Sequence, residues 1–331
     1  MKRRIILLLL LVLSISFTGC FKSNLDNSGV KNVKIGYQHS DLHSALFVAE
    51  EKGILAENES LFEKYGINAT LIEFTGGPVE MQALGAGEID IAYVGTAPTL
   101  TYIDKTYKDR RVSAHIIAGL QTGGIGIIVS KDSRIQNISD LKGKKVAVLA
   151  IGSIQDIMLR DALAKEGILG DVDIVAVNIA SIPAAVASGQ VDAGFTAQPY
   201  VSEAVVKGNG RVLAWAEDLP VGSKNMFINV IVARDEFAGN NPELVKNLIK
   251  IHNEATEYIK NNPEKAAEIA ARRLGTNLDV EKESIKHIGF SAVPAQENID
   301  SILMFADALK KAGTLTSNLT REDIFDLRKT G

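Results

Sequence analysis

The chain has 331 residues, of which 46% are hydrophobic, and a formal net charge of −4 from 36 basic and 40 acidic side chains. No stretch concentrates lysine and arginine into a patch, which excludes nucleic acid as an expected partner. The single cysteine excludes an intrachain disulfide. The roughly 300 residues after position 30 are enough for two domains with cores of their own.

The first 30 residues have the composition of an export leader. Three basic residues precede the apolar run of residues 5–13, which is too short to span a bilayer. Residues 1–19 are therefore predicted to be a signal peptide that ends in front of Cys20. Because the only thiol of the chain stands at this place, Cys20 is predicted to carry a lipid. Residues 20–30 are then the lipid anchor and a flexible tether. The protein is expected on the outer face of the cytoplasmic membrane; the alternative is ordinary export with cleavage elsewhere.

Strands and helices alternate through the first two thirds of the chain. Strands are predicted for residues 33–37, 69–74, 89–94, 112–120, 127–130, 145–150, 172–177 and 191–195. Helices are predicted over residues 42–52, from Pro78 onwards, and over residues 154–166. This alternation predicts an α/β fold with mainly parallel sheets and helices on both faces.

One short motif occurs twice. Residues 87–93 (GEIDIAY) are echoed by residues 189–195 (GQVDAGF), and each copy is followed by Thr-Ala and a nearby proline. The repeat predicts two similar α/β lobes, although a glycine between a helix and a strand is also common by chance. Ligands of open α/β sheets bind beyond the carboxyl ends of the strands, so two such ends that face each other would form a cleft.

The last third is predicted to be helical. Asn241-Pro242 is placed to start a helix that runs through Lys260, and Asn262-Pro263 to start the next. A predicted strand at residues 226–233 precedes these helices, so the chain is expected to return to the first lobe. The expected boundaries are residues 31–120 and 223–331 for lobe 1 and 121–222 for lobe 2, joined by a two-stranded hinge.

Several motifs are similar to those of one transport family. They are VKIGYQ at residues 33–38, EFTGGP at 73–78, AGEID at 86–90, GTAP at 95–98, VSKDS at 129–133, DLKGKKV at 140–146 and NPELV at 241–245. In this order they resemble the solute-binding proteins of ABC importers, in particular the nitrate/sulfonate/taurine group. The resemblance implies a two-lobed, type II periplasmic-binding-protein fold. It also implies a cleft that closes on a small solute and delivers it to a membrane permease with an ATPase.

Two strand-to-helix junctions are candidate contacts for the solute. Ser153 is placed to cap a helix, and the free N–H groups of a helix start favour an anion. The alternative is that Ser153 and Asp156 only complete a capping box. Gly76 and Gly77 before a proline have the same form in the first lobe, with a tight turn as the alternative.

Further polar groups lie at strand ends. Thr96 and Ala97 follow the first copy of the repeat, Gln198 follows the second, and Gln38 ends the first strand. The resemblance places Thr96 in the cleft and the loop of Ser153 at the ligand. The candidate ligand-binding residues are therefore Gln38, Gly76, Gly77, Thr96, Ala97, Gly152, Ser153 and Gln198.

The sequence departs from the family pattern in front of Pro199. Relatives often carry an aromatic residue and then an acid, where this chain has Ala197 and Gln198. The missing ring is expected to enlarge the cleft, and the missing carboxylate makes taurine a less favoured solute. The expected solute is a small, sulfonate- or nitrate-like anion. A pyrimidine or another cofactor precursor is the alternative.

No catalytic or metal-binding constellation is predicted. The GxSxG, HExxH and phosphate-loop patterns are absent from the sequence. His39 and His43 have helical ligand spacing but no third ligand nearby in sequence, so neither a metal nor a cofactor is expected. An enzyme on the same fold stays the alternative of a different class, since pyrimidine synthases resemble these receptors. The protein is expected to be a monomer.

Overall fold

The computed structural model describes residues 30–54, 58–108 and 113–327. The predicted signal peptide, Cys20 and all but the last residue of the predicted tether lie outside this part of the chain. Within it, the strands are β1 (Lys31–Gln38), β2 (Ile67–Phe74), β3 (Ile91–Gly95), β4 (Ala114–Gly123), β5 (Ile125–Ser130), β6 (Lys145–Val148), β7 (Asp173–Ala176), β8 (Ala193–Ala197), β9 (Gly210–Trp215), β10 (Phe227–Arg234) and β11 (Ile288–Phe290).

The α-helices lie between these strands and beyond them. They are α1 (Ser44–Glu50), α2 (Leu61–Lys64), α3 (Gly77–Ala86), α4 (Thr96–Lys108), α5 (Ile154–Lys165), α6 (Ile182–Ala187), α7 (Tyr200–Val206), α8 (Asp235–Asn240), α9 (Pro242–Asn261), α10 (Pro263–Leu274), α11 (Leu278–Ser284), α12 (Gln296–Lys311) and α13 (Arg321–Ile324). Of the helices in the described ranges, none combines the length and the apolar character that crossing a bilayer requires.

The strands form two sheets, each the centre of one lobe. The lobe 1 sheet has six strands in the order β11-β4-β10-β3-β1-β2, and the lobe 2 sheet has five in the order β7-β6-β8-β5-β9. The predicted α/β fold with two sheets is confirmed. The chain passes from the first sheet to the second between β4 and β5 and returns between β9 and β10.

The sheets are mixed, which corrects the prediction of mainly parallel sheets. Strand β1 pairs parallel with β2 and β3, and β6 pairs parallel with β7 and β8. Strands β5 and β10 are antiparallel to both of their neighbours, and β11 is antiparallel to β4. A parallel neighbour needs a crossover connection. The chain enters lobe 2 through β5 and returns to lobe 1 through β10. No crossover helix precedes either strand.

The repeated motif has the same structure in both lobes. Gly87 and Gly189 each adopt a left-handed φ, of 76° and 72°, in front of the repeated strand. Asp90 accepts a hydrogen bond from the backbone N–H of Lys34 at 3.0 Å, and Asp192 accepts one from Lys145 at 2.9 Å. Each aspartate therefore ties the repeated strand to a neighbouring strand of its own sheet.

The C-terminal helices pack on lobe 1. Helix α9 begins at Pro242, as predicted, and it packs against α1. Its predicted apolar face is buried at Leu244, Leu248, Ile251 and Ala255, while Tyr258 is half-buried. This face follows the helical period, so burial rather than propensity holds the helix in place.

Glycine is required where the chain leaves lobe 1. Gly123 and Gly124 have φ values of +67° and +79°, in the left-handed region that other residues rarely adopt. A Cβ on Gly124 would lie 2.5 Å from Leu42 Cδ2, so the backbone there passes close to the loop that follows β1. This close approach brings the ends of the two sheets together.

Candidate functional site

A cavity of about 320 Å³ lies where strand ends of the two lobes meet. Lobe 1 contributes the ends of β1, β2 and β3, the start of β10 and the start of α3. Lobe 2 contributes the start of α5, residues 178–180 and the end of β8. Much of the wall is apolar, including Leu42, Phe74, Pro98, Ile125, Leu149, Ile154, Ile179 and Ile228. Lining of this kind with a few polar groups is typical of small-molecule sites.

Gln38 is the polar group at the end of β1. Its side-chain Nε2 donates to Glu80 Oε2 at 2.6 Å. Glu80 is fully buried on α3, and this burial raises the pKa of its carboxyl from the ordinary 4.5 to about 8. The bond to Glu80 therefore fixes the orientation of the Gln38 amide from below the cavity.

A buried histidine connects Gln38 to the strand that returns from lobe 2. His43 Nδ1 lies 2.8 Å from the Gln38 carbonyl oxygen, and His43 Nε2 lies 3.2 Å from Asn229 Nδ2. Burial lowers the pKa of His43 to about 4, so the ring is neutral at pH 7. The carbonyl can only accept, so Nδ1 carries the proton and Nε2 accepts from the Asn229 amide.

Glu73 brings a carboxylate to the rim of the cavity at the end of β2. Its Oε2 accepts from the Tyr37 hydroxyl at 3.2 Å and lies 3.3 Å from His39 Nδ1. The other ring nitrogen of His39 lies 3.2 Å from the Leu274 carbonyl oxygen. The Glu73 side chain stays 49% exposed, so it is available to a molecule in the cavity.

Two hydrogen bonds cross from one lobe to the other beside the cavity. The Ser40 hydroxyl donates to the Gln198 carbonyl at 2.6 Å, and the Tyr200 hydroxyl donates to the His39 carbonyl at 3.4 Å. Burial, reinforced by nearby carboxyl groups, raises the pKa of Tyr200, so its hydroxyl stays a donor at neutral pH. These bonds tie the lobes together on one side of the site.

The start of α5 forms the opposite wall. Ser153 caps the helix by accepting from the Asp156 N–H, and Asp156 in turn accepts from the Gly152 N–H at 2.8 Å. Asp156 also accepts a hydrogen bond from Arg160 Nε, so Asp156 has a structural role. The N–H groups of Ile154 and Gln155 belong to the first turn, which has no carbonyl partners within the helix, and both residues line the cavity.

The predicted residues divide into two groups. Gln38, Gly77 and Ser153 line the cavity, as does Ala197, where the expected aromatic ring is missing. Gly76, Thr96, Ala97, Gly152 and Gln198 do not line it. The Thr96 hydroxyl is buried and donates to the Phe227 carbonyl at 2.5 Å. The Gly152 N–H is bonded to Asp156.

Gln198, on which the expectation about taurine depended, is buried and does not line the cavity. Its side-chain Oε1 accepts from the Ser202 N–H at 3.0 Å, inside lobe 2. The carboxylate that does line the cavity is Glu73, so the absence of an acid at position 198 does not bear on an ammonium group.

Several lining residues were not predicted. The polar ones are His39, Ser40, His43, Glu73, Thr75, Gln155, Asn178, Tyr200 and Asn229. Glu73 stands in the EFTGGP motif, so the motif itself was the available signal. Asn229 is a polar residue inside the apolar run of residues 226–233 and could have been found as an exception to that run.

The lining contains no fixed positive charge. Among the described residues, neither lysine nor arginine lines the cavity. The described part of the chain also holds no group of three metal-ligating side chains. Both ring nitrogens of His43 face protein partners. The groups available to bind a solute are therefore hydrogen-bonding side chains, the starts of α3 and α5, and the Glu73 carboxylate.

The sequence as a whole matches known proteins. The model of the NMT1-like family matches residues 26–274. A provisionally named binding protein of Brucella abortus is 30% identical over 295 residues, which covers 87% of this chain and 85% of that protein. A provisionally named aliphatic sulfonates-binding protein of Bacillus subtilis is 28% identical over 309 residues, covering 92% and 87%.

Two further similarities bear on the fold and on the enzyme alternative. The alkanesulfonate-binding protein SsuA from Xanthomonas axonopodis pv. citri, solved bound to MOPS, has a TM-score of 0.73 at 23% identity and covers 89% of this chain and 98% of its own. A 4-amino-5-hydroxymethyl-2-methylpyrimidine phosphate synthase of Saccharomyces cerevisiae is 25% identical over 243 residues, covering 70% and 67%. The family resemblance and the binding-protein fold are confirmed, and the chain belongs to the NMT1-like family.

Proposed function

We propose that this protein is an extracytoplasmic receptor that captures a small solute between its lobes and delivers it to an ABC importer. The observation that carries the proposal is the cavity at the strand ends of both sheets, lined by groups from each lobe. A solute that contacts both walls binds the closed arrangement better and shifts the protein towards it. The relatives named as binding proteins, which match over most of their length, support the same function.

The start of α5 is the proposed seat for an acidic or acceptor group of the solute. Helix α5 has 12 residues, and Ser153, Ile154 and Gln155 at its start line the cavity. The free N–H groups and partial positive charge of a helix start favour an anion. The Bacillus subtilis relative is named for aliphatic sulfonates, and a sulfonate group fits a site of this kind. The apolar part of the wall would then cover the body of the solute.

Binding without chemistry is part of the proposal. The hydroxyls of Ser40, Ser153 and Tyr200, which line the cavity, are engaged in helix capping or in bonds between the lobes. Solute incubated with the protein is expected to be recovered unchanged, as judged by mass spectrometry. Formation of a product would favour the synthase-like alternative instead.

Filling the cavity should abolish capture. Ala180 is exposed and lines the cavity, so a tryptophan there is expected to occupy the solute's space and weaken binding at least tenfold without unfolding lobe 2. The probe is whichever sulfonate or other solute most stabilises the wild type in a thermal-shift screen, and the measurement is calorimetric titration. Ala184→Trp, exposed on α6 outside the lining, is the matched control. Equal affinity in both variants would contradict a site between the lobes.

We also propose that Cys20 carries the lipid anchor and that the protein is a monomer. The proposed lobes keep the predicted boundaries except that residues 121–123, which belong to β4 of the lobe 1 sheet, are assigned to lobe 1. Replacing Cys20 by serine should remove the acyl mass from the mature protein and release it from the membrane fraction. Ser28→Ala, a change in the proposed tether, should leave both unaltered. A mass difference no larger than that of the Cys-to-Ser replacement itself would exclude acylation there.

A further inference from the structure

Three side chains of lobe 1 line the cavity and carry acceptor atoms. We call Gln38, Glu73 and Asn229 the acceptor wall; all three line the cavity. Amide side chains offer both a donor and an acceptor, so their orientation decides which of the two meets a ligand. In both amides of this wall, protein contacts use the donor.

The orientation of Gln38 follows from its carboxyl partner. Its Nε2 donates to Glu80 Oε2 at 2.6 Å, and Glu80 is completely buried beneath it. The Oε1 atom of Gln38 has no protein partner among the described residues and is not among the buried unpaired atoms. This oxygen is therefore left for a donor that enters the cavity.

The orientation of Asn229 follows from the histidine tautomer. The Gln38 carbonyl takes the Nδ1 proton of His43, so His43 Nε2 can only accept, and it takes a hydrogen of Asn229 Nδ2 at 3.2 Å. The amide oxygen of Asn229 then faces the other way. A Cβ placed on Gly95 would lie 3.8 Å from this oxygen, and Gly95 itself lines the cavity.

The third member of the wall carries a full charge. Glu73 already accepts from Tyr37 and contacts His39 through Oε2, which leaves Oε1 without a protein partner in the described residues. No lysine or arginine of the described lining competes for it. A solute that presents only acceptor atoms to this wall would leave the free oxygens of Gln38, Asn229 and Glu73 without a donor, and the Glu73 carboxylate would repel its negative charge.

We propose that the acceptor wall sets the specificity of the receptor: the solute carries amine or other N–H donors that face Gln38, Glu73 and Asn229, while its acidic or acceptor group faces the start of α5. Bare anions such as nitrate and simple alkanesulfonates are disfavoured. This inference rests on the proposed receptor function and concerns the chemistry of the solute alone.

Matched pairs of probes test the wall. Each pair shares its acceptor group and differs in one amine: 2-aminoethanesulfonate with ethanesulfonate, 3-aminopropanoate with propanoate, and 4-aminopyrimidine with pyrimidine, with nitrate as an acceptor-only probe. In at least one pair the amine should bind at least about tenfold more tightly by calorimetry, the value of one charge-assisted hydrogen bond. Tighter or equal binding of a donor-free probe overturns the inference and leaves the receptor function standing. Failure of every probe to bind counts against both.

Variants separate this role from a merely structural one. Glu73→Gln keeps an acceptor and removes the charge at a half-exposed position, so it should fold and should narrow the preference for the amine by about fivefold. Glu88→Gln, an exposed glutamate outside the lining, should leave the preference unchanged. A loss of affinity in Glu73→Gln that is equal for both members of a pair would show a structural effect and defeat the assignment.

Discussion

Replacing Gly119 by alanine is expected to destabilise the protein by about 3 kcal/mol, because the new methyl group has no room. Gly119 lies on β4 opposite Val230 of β10. A Cβ there would lie 2.2 Å from Cζ of Phe227 and 2.4 and 2.5 Å from its two Cε atoms. The Phe227 ring is fully buried, so it can give way only by displacing its own neighbours.

Urea unfolding monitored by circular dichroism measures this loss. Gly239→Ala is the matched control, because Gly239 lies in α8 with no atom within 4 Å of the added Cβ. That change should be neutral or slightly stabilising. In the Gly119→Ala background, Phe227→Leu should recover part of the lost stability. The single variant Phe227→Leu should not be more stable than wild type. A Gly119→Ala variant as stable as the control would show that the ring adapts freely.

The architecture was largely predictable because strand and helix periodicities are local. Residues 89–94 were predicted as a strand, and β3 occupies Ile91–Gly95. The repeat was visible as residue types, and Asp90 and Asp192 turn out to make the same backbone bond in each lobe. Strand direction was not predicted: the crossings between lobes were expected, but the alternating pattern did not show that β5 and β10 would insert antiparallel to their neighbours.

The candidate site was only partly predictable, since position along a strand does not tell where a side chain points. Gln38 and Ser153 lie at element ends and reach the cavity. Thr96 lies at an equivalent end, yet its hydroxyl turns to a backbone carbonyl of β10. That carbonyl comes from a strand more than a hundred residues away along the chain, so no local pattern could reveal it.

Glu80 illustrates what the sequence hides most completely. It stands in the first turn of α3, where an acid ordinarily signals a favourable interaction with the helix start. In the structure it is fully buried, and one of its carboxyl oxygens accepts a hydrogen bond from Gln38. Burying Glu80 costs folding stability, and this cost depends on pH because burial penalises the charged form of the carboxyl group.

The stability of the protein should consequently fall as pH rises across the titration of Glu80. Burial raises the pKa of Glu80 from 4.5 to about 8, so between these values the folded protein keeps a proton that the unfolded chain releases. The free energy of unfolding then decreases with pH, by about 4 kcal/mol from pH 4.5 to pH 8 for this group alone. Glu80→Gln keeps an acceptor for Gln38 and should remove that part of the pH dependence.

Denaturant unfolding at several pH values, in wild type and Glu80→Gln, isolates this contribution, because the other titrating groups affect both proteins alike. The difference between the two curves should grow steadily from pH 4.5 to pH 8, with the variant gaining relative stability. Glu88→Gln replaces an exposed acid outside the lining and should run parallel to wild type. Parallel curves for Glu80→Gln as well would mean that Glu80 ionises normally. Solute affinity should change little in Glu80→Gln, since the Gln38 amide keeps its partner and its oxygen still faces the cavity.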